Sequence, residues 1–139
     1  MDATAVWKKG LSFTGTAHGS GYSLPLGTDP SVGGENDGFR PAELLLVGLA
    51  GCTGMDVISI LSKKRLEITG FEVKTHGERA EEHPKRFTGF VVEYVVRGRN
   101  VDRAAVERAV ELSETKYCSV MATLRSAGPI ERKITILEA

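Results

Sequence analysis

Little in this sequence is addressed to a charged partner or a metal. Lys plus Arg and Asp plus Glu are equal at 18 each, so the formal net charge is zero. A balanced surface provides no field for nucleic acid or an anionic membrane, and neither is expected as a partner. Only three histidines, 18, 76 and 83, and two cysteines are present, with no HxxxH or CxxC spacing. That is a poor ligand set, so no metal is expected. The histidines fall in strand or turn sequence and receive no role; His83 before Pro84 reads as a solvated turn. The first ten residues, MDATAVWKKG, hold no apolar stretch of the signal-peptide kind. Two cysteines without an export signal imply a reducing, cytoplasmic setting and free thiols. No unbroken apolar run reaches the roughly 18 to 20 residues of a membrane span. No repeat, linker or low-complexity tract interrupts the 139 residues, a length for one domain, 1–139, with a modest core.

What is present is one dominant stretch, residues 41–65, PAELLLVGLAGCTGMDVISILSKKR. Its first half is apolar on every side, the pattern of a helix buried all round. Pro41 suits a first helical turn, and Lys63, Lys64 and Arg65 suit a last one. Gly48, Gly51 and Gly54 recur every three residues. Each should cost about 1 kcal/mol against Ala in a helix, a cost tolerated where a backbone or ligand must come close. Cys52 sits among them. A free cysteine there is either a small buried apolar residue or a reactive group in a thinned pocket.

Upstream, residues 5–14 alternate as one half-buried strand, with Trp7, Leu11 and Phe13 on one face. Tyr22, Leu24 and Leu26 resume the alternation after a Gly-rich turn, which predicts a hairpin. Residues 27–40 read as a long loop with a short strand near Val32. Downstream, residues 68–79 and 86–97 predict two long antiparallel strands, the second central because it is apolar on both faces. A helix over 102–116 follows, capped by Asp102, with a stripe at Val106, Ala109, Val110 and Ser113. A short helix over 118–128, ended by Gly128, precedes a last strand from Ile130. This order predicts an α+β fold: an antiparallel sheet with helices on one side and a long buried central helix.

Cys118 opens the short helix. Unpaired N–H groups there should lower its pKa and free its thiolate, unless it is simply a packed small residue at a helix junction. Should the helices pack as neighbours, the two sulfurs could meet, the layout of a peroxide-reducing site.

The stretch RPAELLLVGLAGCTGMDV, followed some sixty residues later by KYCSVMATL, resembles the OsmC/Ohr family of thiol peroxidases, in its YhfA-like branch of small proteins. The motifs span about residues 38–126, and the element order extends the likeness to the whole chain. The resemblance implies that Cys52 is the peroxidatic cysteine and Cys118 the resolving one. It implies a substrate hydroperoxide, a Cys52 sulfenic acid, a Cys52–Cys118 disulfide and a thiol or dithiol reductant, with no metal, haem or flavin. It also implies an intertwined homodimer whose sites are walled by both chains. The alternative is a dimeric small-molecule-binding or redox-sensing protein of the same fold.

The sequence departs from that family in the activating groups. The peroxidases place a Glu directly after the helix-opening Pro. Here Ala42 stands there, and Glu43 is nine residues before Cys52, pointing away from it on an ideal helix. Arg40 abuts the helix start, whereas the family's Arg comes from further upstream. Arg40 and Glu43 are the candidate catalytic partners of Cys52, Arg40 by pairing with its thiolate. Both equally fit plain surface and helix-dipole roles. Asp56, one turn after Cys52, reads as a structural hydrogen-bonding residue, because a carboxylate raises a thiol pKa.

Overall fold

The alternating run near the start of the chain is two strands rather than one. The computed structural model describes residues 1–139 and divides them into two units, Met1–Leu45 and Leu46–Ala139. In the first unit β1 (Ala3–Lys9) turns at Gly10, which takes φ +51°, into β2 (Ser12–Ala17). A positive φ is inexpensive only for glycine. The Trp7 indole N–H donates to the Gly10 carbonyl at 2.9 Å, which ties the turn. Trp7 and Phe13, expected on one face of one strand, are cross-strand partners. The expected second hairpin is present: β3 (Ser23–Leu26) pairs antiparallel with β2, giving the order β1-β2-β3.

The long loop carries a 3-10 turn at Pro30–Val32, not a strand. Asp29 accepts from the Ser31 N–H at 2.8 Å, and Pro30 supplies the preset φ. The loop folds back tightly on β3: a Cβ at Gly38 would stand 2.7 Å from the backbone of Pro25 and Leu26.

Helix α1 covers Pro41–Lys63. Within one chain it is not buried all round. Its buried residues are Leu49, Thr53, Val57 and Leu61, one stripe at four-residue spacing. Leu45, Val47 and Met55 are 46%, 55% and 73% exposed. Of the three glycines only Gly54 answers a close approach, to Val73 at 3.3 Å; a Cβ at Gly48 or Gly51 would meet nothing within 4 Å. The most apolar 18 residues of α1 average a hydropathy of 2.0, so by length and composition it does reach the range of a membrane-crossing helix. Its stripe nonetheless belongs to a protein core, shared with Phe90, Val92, Tyr94, Val106 and Val110.

In the second unit β4 (Glu67–Arg79) and β5 (Phe87–Arg99) pair antiparallel along their whole length, as expected. β5 is central, in the order β4-β5-β6. Phe90, Val92, Tyr94 and Val96 face the core, while Val91 and Val95 are half-buried on the other face. β6 (Ile130–Glu138) lies parallel to β5, so this sheet is mixed rather than antiparallel. α2 (Arg103–Leu112) begins at Asp102, whose carboxylate accepts from the Ala104 N–H at 3.1 Å. Its stripe of Ala105, Val106, Ala109 and Val110 is buried. The helix expected to continue to 116 widens instead into a π turn, Ser113–Tyr117. α3 is only Ser119–Leu124, ending short of Gly128. The fold is α+β, with two small sheets and the long helix α1.

Candidate functional site

Cys52 lies midway along α1, half-buried, one residue before the fully buried Thr53. The π turn delivers the other thiol. At its end the Cys118 N–H donates to the Ser113 carbonyl at 2.9 Å, and Cys118 becomes the N-cap of α3. There its Sγ accepts from the Met121 N–H at 3.3 Å. Cys118 is 4% exposed, and both cysteines are free thiols. Asp56, one turn beyond Cys52, shares its face of α1. The two sulfurs and a carboxylate oxygen of Asp56 all lie within 4.8 Å of one another.

A buried chain of hydroxyls backs this cluster. Ser113 Oγ donates to Asp56 Oδ2 at 2.9 Å. Thr53 Oγ1 lies 2.8 Å from Ser113 Oγ and 2.8 Å from Tyr94 Oη. Each hydroxyl has one proton, and Ser113 spends its own on the carboxylate. Thr53 must therefore donate to Ser113, and Tyr94 to Thr53. The chain runs one way, from the core tyrosine to Asp56. Burial holds the Tyr94 phenol protonated well above its usual range, as a terminal donor requires.

The Cys118 thiol is pushed up to about 11, chiefly by burial. The Met121 N–H works the other way; the Cys52 sulfur and the Asp56 carboxylate reinforce the rise. This reverses the expectation of a helix terminus lowering the pKa. α3 has six residues, too few for a large dipole, and desolvation outweighs one hydrogen bond.

Arg40 and Glu43 meet each other at the start of α1. The Glu43 carboxylate accepts from the Arg40 N–H at 3.2 Å, and the Glu43 N–H donates to the Arg40 carbonyl at 3.0 Å. The Glu43 side chain thus supplies one half of a capping box, beside an ordinary first-turn backbone bond. The Arg40 guanidinium is 3.5 Å from Asp29. Glu43 precedes Cys52 by about 13 Å along the helix axis. Asp56 is hydrogen-bonded, as expected, but it also stands among the thiols, which local sequence did not assign. The available signal was its four-residue spacing from Cys52.

Residues 34–133 match the family described as OsmC-like protein. Over 139 residues the chain is 38% identical to "Protein YhfA" of Escherichia coli K12, covering 100% of both. A solved structure of a hypothetical protein from Aquifex aeolicus VF5 is similar at a TM-score of 0.85 and 30% identity, covering 99% of this chain and 96% of that one. The same fold occurs in an organic hydroperoxide resistance protein OsmC from Legionella pneumophila, at a TM-score of 0.71 and 15% identity, covering 96% and 95%.

Proposed function

The chain belongs to the OsmC-like family, and from that premise we propose that it is a thiol-dependent peroxidase that reduces organic hydroperoxides or hydrogen peroxide. The observation that carries the reading is the pair of free thiols, one from α1 and one from the α3 cap, with sulfurs within 4.8 Å. A relative in fold is an organic hydroperoxide resistance protein, which supports the substrate class.

Cys52 is the attacking thiol. It is the less buried of the two, and Cys118 holds its proton to about 11. Cys52 sulfur attacks the peroxide O–O bond, which breaks; the thiol becomes a sulfenic acid, and alcohol or water leaves. The Cys118 sulfur then displaces the sulfenic hydroxyl as water, forming the Cys52–Cys118 disulfide. Two thiol equivalents from a reductant restore the dithiol. Arg40 and Glu43 serve this cycle by fixing the start of α1. A second copy of the chain covers the exposed apolar face at Val47 and Met55, making the working unit a homodimer with α1 inside protein rather than bilayer.

The test is peroxide consumption with dithiothreitol. Wild type should turn over and Cys52→Ser should not, and peptide mapping of peroxide-treated protein should find an intrachain Cys52–Cys118 link. Equal consumption by Cys52→Ser would refute the assignment. A second reading draws on the high Cys118 pKa and on the engagement of Arg40 with Asp29. In it the dithiol oxidises once, as a sensor, without multiple turnover; a burst limited to one equivalent per chain identifies that case.

A further inference from the structure

We propose that the reduced site binds one zinc(II) ion through Cys52 Sγ, Cys118 Sγ and a carboxylate oxygen of Asp56. Spacing along the chain hides this set, because Cys118 arrives from a different element. In space the three donor atoms lie within 4.8 Å of one another. In a tetrahedral zinc thiolate site with Zn–S bonds of about 2.3 Å, ligand atoms stand about 3.8 Å apart. The donors therefore need to close by no more than about 1 Å to chelate, whereas a disulfide needs its sulfurs at about 2.05 Å.

Two features beyond proximity favour a metal. The donor set is two thiolates and one carboxylate, which suits zinc and not the oxygen-seeking calcium or magnesium. The carboxylate is also held from behind. Ser113 donates to its Oδ2, and Thr53 and Tyr94 fix Ser113, all three fully buried. Outer hydrogen bonds of this kind orient a ligating group and leave its other oxygen for the metal. Three protein ligands leave the fourth position open to water or a small ligand.

Binding would release two thiol protons, so that Zn2+ and two thiols become a neutral zinc dithiolate and two protons, with Asp56 completing the set. Peroxide and metal then compete for the same sulfurs. Zinc dithiolate, one hydroperoxide and two protons give disulfide, free Zn2+, alcohol and water. Zinc would protect the thiols, and oxidation would eject zinc.

The experiment uses reduced, full-length protein under nitrogen, with Co2+ as a spectroscopic probe and Zn2+ affinity measured against a chromophoric chelator. The expected result is one equivalent per chain, with thiolate-to-cobalt charge-transfer absorption and a tetrahedral visible spectrum. Cys52→Ser and Cys118→Ser should lose it. Asp56→Asn should weaken zinc at least tenfold, and Ser113→Ala by about ten- to a hundredfold through misorientation. Wild type carrying the disulfide should bind none, a comparison that needs no variant to fold. The spectrum is read without peroxide turnover, so failure of the peroxidase reading would leave it standing. Absence of the charge-transfer band in reduced wild type, equal binding by the disulfide form, or unchanged affinity in folded Asp56→Asn would each overturn the proposal.

Discussion

Removing the Thr53 hydroxyl should cost the protein more than removing the Tyr94 hydroxyl, although the two share one hydrogen bond. The reasoning rests on the direction of the chain that ends at Asp56. Thr53→Val keeps the shape but strands the Tyr94 O–H, which is fully buried and has no other acceptor. A buried donor left unpaired costs about 1 to 3 kcal/mol, and losing the donor to Ser113 adds about 1 more. The expected loss is thus about 2 to 4 kcal/mol. Tyr94→Phe leaves every remaining proton placed: Thr53 still donates to Ser113, and Ser113 to Asp56. Only one acceptor lone pair on Thr53 goes unused, a loss of about 0.5 to 1.5 kcal/mol. The assay is urea denaturation of the reduced protein at one fixed concentration, because association would otherwise shift the midpoints. Equal m-values make the comparison one of native-state energies. A Tyr94→Phe loss equal to or larger than that of Thr53→Val would refute the direction, and with it Asp56 as the terminal acceptor.

Three further outcomes are expected. Gly51→Ala should favour helix by about 1 kcal/mol in a lone chain, since its Cβ meets nothing within 4 Å. In the proposed homodimer it should weaken association instead, and sedimentation showing undiminished association would remove the glycines as a contact for a second copy. Between about pH 9 and 11 the reduced protein should lose stability as pH rises, because an unfolded thiol releases its proton near 9 while Cys118 keeps its own to about 11. Cys118→Ser should lack this component when the two pH profiles are subtracted, and identical profiles would show that burial does not raise the pKa. Arg40→Ala should leave the rate of the first peroxide step nearly unchanged in stopped flow, since the guanidinium is paired with Asp29; a slowing of about tenfold, ~1.4 kcal/mol in the barrier, would return Arg40 to the thiol.

Legibility of the fold in the sequence followed burial contrast. β4 and β5 could be read because their faces differ in burial along thirteen residues each. Asp102 could be read because capping is local. The β1–β2 hairpin was hidden: every residue of β1 is exposed, and its turn occupies two residues within an alternating run. The register shift between Trp7 and Lys9 further disguised it. Alternation in β6 cannot tell parallel from antiparallel pairing, so its direction was misread. At the site, the two cysteines were visible as residue types, but their meeting depended on the π turn at Ser113–Tyr117, which no local propensity marks. The likeness to a known family assigned their roles. Asp56 was seen only as a neighbour of Cys52, since its second neighbour arrives from far along the chain. The helix read as buried all round shows one buried stripe, because an apolar sequence cannot say whether its own chain or another covers it.

The sulfur of Cys118 is also a piece of secondary structure: it receives the Met121 amide and so closes the first turn of α3. In the proposed disulfide that sulfur would be drawn toward Cys52 on α1 and away from the amide. Oxidation would then loosen the cap of a helix only six residues long, which has little propensity of its own to keep its shape. The chemistry at one atom would in this way be transcribed into the order of a short segment, with the exchange rate of a single amide hydrogen, that of Met121, as the readout of the electron count in the site.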